Sequence, residues 1–141
     1  MLIDDTQFPL VWIHYTKPAG APGKAGFAGL EEVLARREVF VLLNDEGLAE
    51  GYNDHPHDAL KEASLWMKRH KADLRAFIAA TICIEPDGAR RGAAKDFCAA
   101  YQAFWGYPMR VVPCEDEARR LAAETLAGAP VRPLWPSYRE P

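Results

Sequence analysis

The chain has 141 residues, with 17 Lys plus Arg against 20 Asp plus Glu and a formal net charge of -3. That length fits one domain able to bury roughly two thirds of its unfolded surface, and the charge leaves no basic face dense enough to track a phosphate backbone, so nucleic acid is excluded as an expected partner. Cys83, Cys98 and Cys114 are odd in number and show no Cys-x-x-Cys spacing, which argues against a disulfide framework or a zinc clip, and no apolar run reaches the roughly 18 residues a membrane span needs. A cytoplasmic protein with reduced thiols, no targeting segment at Met1-Leu2-Ile3-Asp4-Asp5 and no membrane span is expected.

In chain order, Met1 to Ile3 and Leu10 to Tyr15 read as two strands joined by a turn at Asp4, Asp5 and Thr6, with Phe8-Pro9 opening the second. Lys17 to Gly26 holds two prolines and three glycines in ten residues and reads as a loop. Its glycines do not make a phosphate cradle, because no buried strand leads into them and Lys24-Ala25 lacks the Lys-Ser or Lys-Thr such a loop requires. Phe27, Leu30, Val33 and Leu34 recur at helical spacing, with Glu31, Glu32, Arg36 and Arg37 expected to pair across turns on the solvent side.

The run Val39-Phe40-Val41-Leu42-Leu43-Asn44-Asp45 is the organising element. Consecutive apolar residues without alternation mark a strand buried on both faces, as in parallel sheets covered by helices. Glu46 to Pro56 then forms a polar loop at its carboxyl end, where open α/β sheets place their ligands. Asn53 or Asp54 is the expected cap of a long helix with Pro56 in its first turn and an apolar stripe through Ala59, Leu60, Ala63, Trp66, Met67 and Leu74. His70, with Lys68, Arg69 and Lys71, is read as lying near that helix's end, where positive charge suits the dipole.

Ile78 to Ile84 is a second buried strand, closed by Glu85-Pro86-Asp87-Gly88, and Asp87 caps a third helix whose stripe of Phe97, Cys98, Tyr101, Phe104 and Trp105 stops at Gly106-Tyr107-Pro108. Met109 to Val112 is a last short strand. Glu115, Asp116 and Glu117 place negative charge on the first turn of a fourth helix, which Gly128 ends. The expected fold is α/β, a single mixed, mostly parallel sheet of about five strands flanked by four helices over residues 1–128. Residues 129–141 carry four prolines in thirteen and read as an extended tail, with Trp135 expected to anchor it against the domain or a second copy.

The element order, the start Ile3-Asp4-Asp5 with Phe8-Pro9-Leu10-Val11, the central strand ending in Asp45, and Met109-Arg110-Val111-Val112 with Glu117-Ala118 together resemble the SpoIIAA-like branch of the STAS fold over about residues 1–127. The resemblance implies a small non-enzymatic bacterial domain, related in shape to anti-sigma-factor antagonists that bind partner proteins through the loop and helix after the central strand. One departure bears on regulation: those antagonists carry a phosphorylatable Ser or Thr at the start of that helix, whereas Glu46 to Lys61 contains neither and Ser64 lies two turns inside.

The partner-binding candidates are therefore Asp45, Leu48, Tyr52, His55 and His57, with Gly47 and Gly51 allowing the loop to rearrange and Tyr52 offering an amphipathic aromatic surface. A protein partner is expected, homodimerisation is left open, and no cofactor, catalytic set or resident metal is assigned. Asp54-His55-Pro56-His57-Asp58 puts four metal-capable side chains in five residues, but two histidines around a proline lack a third ligand at helical spacing. A small metal-binding or hydrolytic protein using Asp45, His55 and His57 is the alternative function, and a carrier of an apolar ligand under the aromatic helix is the third. Cys83 and Cys98 read as core, Cys114 as a helix-start residue, and His14 as a member of an edge strand able to point outward.

Overall fold

The computed structural model describes residues 2–15, 23–47 and 57–128; at Ala25 and residues 57–60 the backbone alone is described. The amino-terminal hairpin is β1 (Leu2–Gln7) and β2 (Leu10–His14), followed by a two-residue strand β3 (Lys24–Ala25) and helix α1 (Gly26–Leu34). Then come β4 (Phe40–Asn44), α2 (His57–Phe77), β5 (Ile78–Ile84), α3 (Gly88–Ala93), α4 (Lys95–Trp105), β6 (Met109–Val112) and α5 (Glu115–Gly128). The sheet order is β3-β1-β2-β4-β5-β6. β1 runs antiparallel to both its neighbours, while β2, β4, β5 and β6 are mutually parallel.

This is the α/β architecture with a mixed, mostly parallel sheet. Parallel strands added in one direction by right-handed crossovers place their connecting helices on one face. Accordingly Leu30, Val33 and Leu34 of α1, Trp66 and Leu74 of α2, and the half-buried Tyr101 and Trp105 of α4 share one core with Ile3, Val11, Ile13, Phe40, Leu42 and Ile78. Helix α5, the last element among the described residues, turns back under the opposite face and packs Ala118 and Ala122 on Trp12, Val41, Leu43, Ile82 and Ile84. β4 explains its own sequence here: Phe40 and Leu42 serve the first core, Val41 and Leu43 the second, and all five residues of the strand are buried.

Several expectations need correction. The turn sits at Phe8-Pro9, one hydrogen bond from Phe8 N to Asp5 O (3.1 Å), because a register shift after Asp4 lets β1 continue to Gln7. Lys24–Ala25 pairs with Leu2–Ile3 inside the segment read as loop, so β3 rather than β2 is the sheet edge and His14 stands on an interior strand. The helix after Asp87 is two helices, making five among the described residues. Asp87 Oδ1 accepts from Ala89 N (2.8 Å) and Arg90 N (3.2 Å), but the first helix closes on Ala94, whose N–H donates to Arg91 O, before α4 begins. The expected caps Asn53 and Asp54, Pro56 and the tail 129–141 lie outside the described residues.

The charged residues around α1 also pair differently, across elements rather than along the helix. Arg36 meets Asp5 (2.9 Å) and lies over the Phe8 ring, and Glu32 meets Lys24 (3.4 Å). Arg37 adopts φ 57, a left-handed conformation costly to a residue with a Cβ, while its guanidinium sits over Phe77 and meets Asp73 at 2.8 Å. Glu31 Oε2 accepts from Trp66 Nε1 at 2.9 Å and lies 3.8 Å from His70 Nε2, so this carboxylate ties α1 to α2.

Candidate functional site

The ends of four parallel strands converge at one edge, since Trp12 pairs with Leu43, Asn44 with Cys83, and Ile84 with Val112. Asn44 is buried there and supplies the join. Its Nδ2 donates to Ile13 O at 2.8 Å, its Oδ1 accepts from Glu46 N at 3.2 Å, and Glu46 Oε1 accepts from Tyr15 N at 2.8 Å. These bonds close an Asx turn and fasten the carboxyl ends of β2 and β4 together. The chain therefore leaves Glu46 in a fixed direction before the segment 48–56.

Next to this turn, Glu85 is buried at the end of β5, with 4% of its surface exposed. Its N–H donates to Val112 O (2.8 Å), its Oε2 accepts from Asp87 N (2.9 Å), and its Oε1 lies 3.9 Å from Arg90 Nη1. Arg91 Nη1 donates to the Glu85 and Pro86 carbonyls, both at 2.9 Å. Gly47 follows with φ 80, and a Cβ there would stand 3.1 Å from Glu85 Oε1. Glycine is thus required on two counts, conformation and space.

Asp45 is exposed, and its Oδ1 lies 3.7 Å from His14 Nδ1, which is itself buried and has no hydrogen-bond partner among the described residues. That separation is too long for a hydrogen bond, and among the described residues no hydroxyl or thiol donates to His14, so these residues by themselves do not assemble the nucleophile-base-orienter chain of acyl-transfer sites. His14 is half-buried, on a strand flanked by β1 and β4 rather than at the sheet edge. No group of three His, Cys, Asp or Glu among the described residues is placed to hold a metal ion. His55, Leu48 and Tyr52 lie outside the described residues, and His57 opens α2 with only its backbone described, so of the candidate residues the structure places Asp45 alone.

Of the thiols, Cys83 is buried, Cys114 is exposed, and Cys98 is half-buried with its pKa pushed up by burial, against a weaker opposing effect of Arg110. A raised thiol pKa leaves less thiolate at neutral pH. The aromatic helix is only partly core: Phe97, Tyr101 and Trp105 are half-buried, whereas Phe104 is exposed. Its rings pack on one another and on Tyr107, with Tyr101 to Tyr107 at 5.7 Å and Phe104 to Trp105 at 5.0 Å, both edge-on.

The Tyr101 and Tyr107 hydroxyls lie 3.1 Å apart. Burial raises both pKa values above the ordinary 10.0. A phenol whose folded pKa is raised favours folding fully below its unfolded pKa, and that contribution is lost as pH climbs beyond it. Cooperative unfolding is therefore expected above about pH 10, with Tyr101→Phe and Tyr107→Phe each moving the midpoint to higher pH. Circular dichroism followed alongside tyrosinate absorbance checks this, and ionisation of all five tyrosines at ordinary pH without loss of helical signal contradicts it.

What sequence reasoning missed here were Asn44, Glu46 and Glu85, while His14 was noted but not joined to Asp45. Two carried a usable signal: Asn44 with Glu46, and Glu85 with Asp87, each place a polar side chain two residues from a backbone amide just after a buried strand. No family model, curated protein or solved structure matches the chain. Among the described residues no helix is long and apolar enough to cross a membrane.

Proposed function

We propose that the chain is a non-enzymatic regulatory or protein-interaction module of the STAS type, binding a protein partner through the segment after β4 and the outer face of α2. The support is resemblance of pattern and element order, together with the placement of a β1-β2 hairpin beside a parallel run of strands. Fold likeness argues function only by analogy. The observation that carries the reading is the Asn44-Glu46 turn, which anchors the entrance of the segment 48–56 to β2 and leaves that segment to connect directly into α2. A segment held at its root by hydrogen bonds presents its own side chains at reduced ordering cost. With no Ser or Thr between Glu46 and Lys61, control by phosphorylation at the usual place is not expected.

The tagged full chain, used to capture proteins from a lysate of its source organism, should retain one partner. A Leu48→Ala, Tyr52→Ala double variant should bind that partner about ten-fold more weakly. Unchanged affinity with an intact circular-dichroism spectrum moves the interface elsewhere, and failure to retain any protein removes the reading. A small hydrolytic or metal-binding protein is the second reading, favoured by the imidazole-carboxylate pair of His14 and Asp45, to which residues 48–57 would have to add a nucleophile or a third ligand.

A further inference from the structure

Helix α2 extends to Phe77, so Lys68, Arg69 and Lys71 lie outside its last turn, in which Arg75 is the basic residue. The helix dipole, which acts within the terminal turn, accounts for Arg75 but not for the other three. Arg75 is further held against Gly106, where any added Cβ would collide with it. From Lys61 to Arg75 five cations stand against two acids, in a chain whose net charge is -3. Lys68 with Lys71 and Lys71 with Arg75 are like-charge neighbours at spacings of three and four, an arrangement that disfavours the helix.

Among the described residues most cations outside this helix are paired with a carboxylate, Arg91, Lys95 and Arg110 excepted. Lys24, Arg36, Arg37, Arg119 and Arg120 each meet a carboxylate within 3.5 Å. No ion pair among the described residues engages Lys61, Lys68, Arg69 or Lys71. Leu65 stands among Lys61, Lys68 and Arg69 and is 52% exposed, more than Tyr15 and Phe104, the other exposed large apolar side chains among the described residues. Lys61, Leu65, Lys68, Arg69 and Ala72 fall at i, i+4, i+7, i+8 and i+11, one stripe about 17 Å long that points away from the buried Trp66 and Leu74.

We infer that this stripe docks an acidic polypeptide segment whose carboxylates flank an apolar residue seated on Leu65. The inference rests on the partner-binding reading above and gives that partner its chemistry. A nucleic acid would use the cations but not Leu65, whereas an amphipathic acidic segment uses both, its carboxylates pairing with side chains that no carboxylate among the described residues meets. Electrostatic steering by such a stripe speeds encounter, and the apolar contact at its centre sets how long the complex lasts.

The test uses the full chain and a short fluorescein-labelled helical peptide carrying Glu on both flanks of a Leu stripe, read by fluorescence anisotropy. Binding is expected to fall with added salt, to weaken about ten-fold in a Lys68→Glu, Arg69→Glu variant, and to weaken about three-fold in Leu65→Ala. A peptide with Ser replacing its Leu residues, and a DNA duplex, should both bind more weakly than the Glu-Leu peptide. Equal binding of either control, no binding of the Glu-Leu peptide, or undiminished binding by the charge-reversed variant overturns the inference. Should that variant lose helical signal, Lys61→Glu takes its place. A partner captured through Leu48 and Tyr52 but indifferent to these charge reversals leaves the module reading standing and sinks this one.

Discussion

Replacing Phe40 by Ala is expected to lower the free energy of unfolding by about 3–5 kcal/mol, the range for deleting a buried aromatic ring. Phe40 is fully buried, its ring lies 5.9 Å from that of Phe8, and it begins the strand from which both cores are built. The cavity would open between α1, α2 and a sheet whose neighbours Val11, Leu42 and Ile78 are themselves fixed in register, so little of it can collapse. Urea denaturation of the variant and parent measures the loss. Leu65→Ala is the comparison, because an exposed side chain on the outer face of α2 should change stability by no more than about 0.5 kcal/mol. A Phe40→Ala loss below about 1 kcal/mol would mean that the first core repacks around the gap, contrary to the fixed register argued above.

Much of this architecture was legible because the buried strands differ in kind from everything else in the sequence. Phe40 to Asn44 and Ile78 to Ile84 lack alternation because each serves two cores, and that single physical fact gives the parallel sheet and its covering helices. The edge was illegible for the opposite reason. Lys24–Ala25 owes its strand conformation to pairing with Leu2 and Ile3 rather than to any local preference, and glycines around it read as loop. Splitting of the third helix at Ala94 was equally hidden, since Ala93-Ala94 is a good helical sequence and tertiary packing, not propensity, buries Ala94.

At the candidate site the position was legible and the chemistry was not. Asp45 at the end of the central strand was found, but its neighbour His14 lies 31 residues earlier, and only the sheet order brings the two together. Likewise the basic stripe could be read as a helix end until the helix was seen to continue to Phe77. Charge assigned to a dipole is explained by local structure; charge left in mid-helix is not, and it then becomes a property of the surface.

Trp66→Ala should remove about 3–5 kcal/mol as well, and it separates the two sides of α2. The indole is buried beneath the helix, stacks on Phe27 at 4.7 Å between ring centroids, contacts the His70 ring at 4.4 Å, and donates to Glu31 at 2.9 Å. Trp66→Phe keeps an aromatic ring in place but loses the donor, so its cost should add to lost area only the 0.5–1.5 kcal/mol or so of one hydrogen bond, less for a carboxylate already half in water. Because Trp66 faces the sheet while Lys68 and Arg69 face outward, Trp66→Ala should lower both stability and peptide affinity, whereas Lys68→Glu with Arg69→Glu should lower affinity alone. Urea unfolding and anisotropy on the same samples give both quantities. If Trp66→Ala unfolds at the same urea concentration as the parent, α2 is not seated through this residue, and the outward stripe loses the rigid support on which its spacing depends.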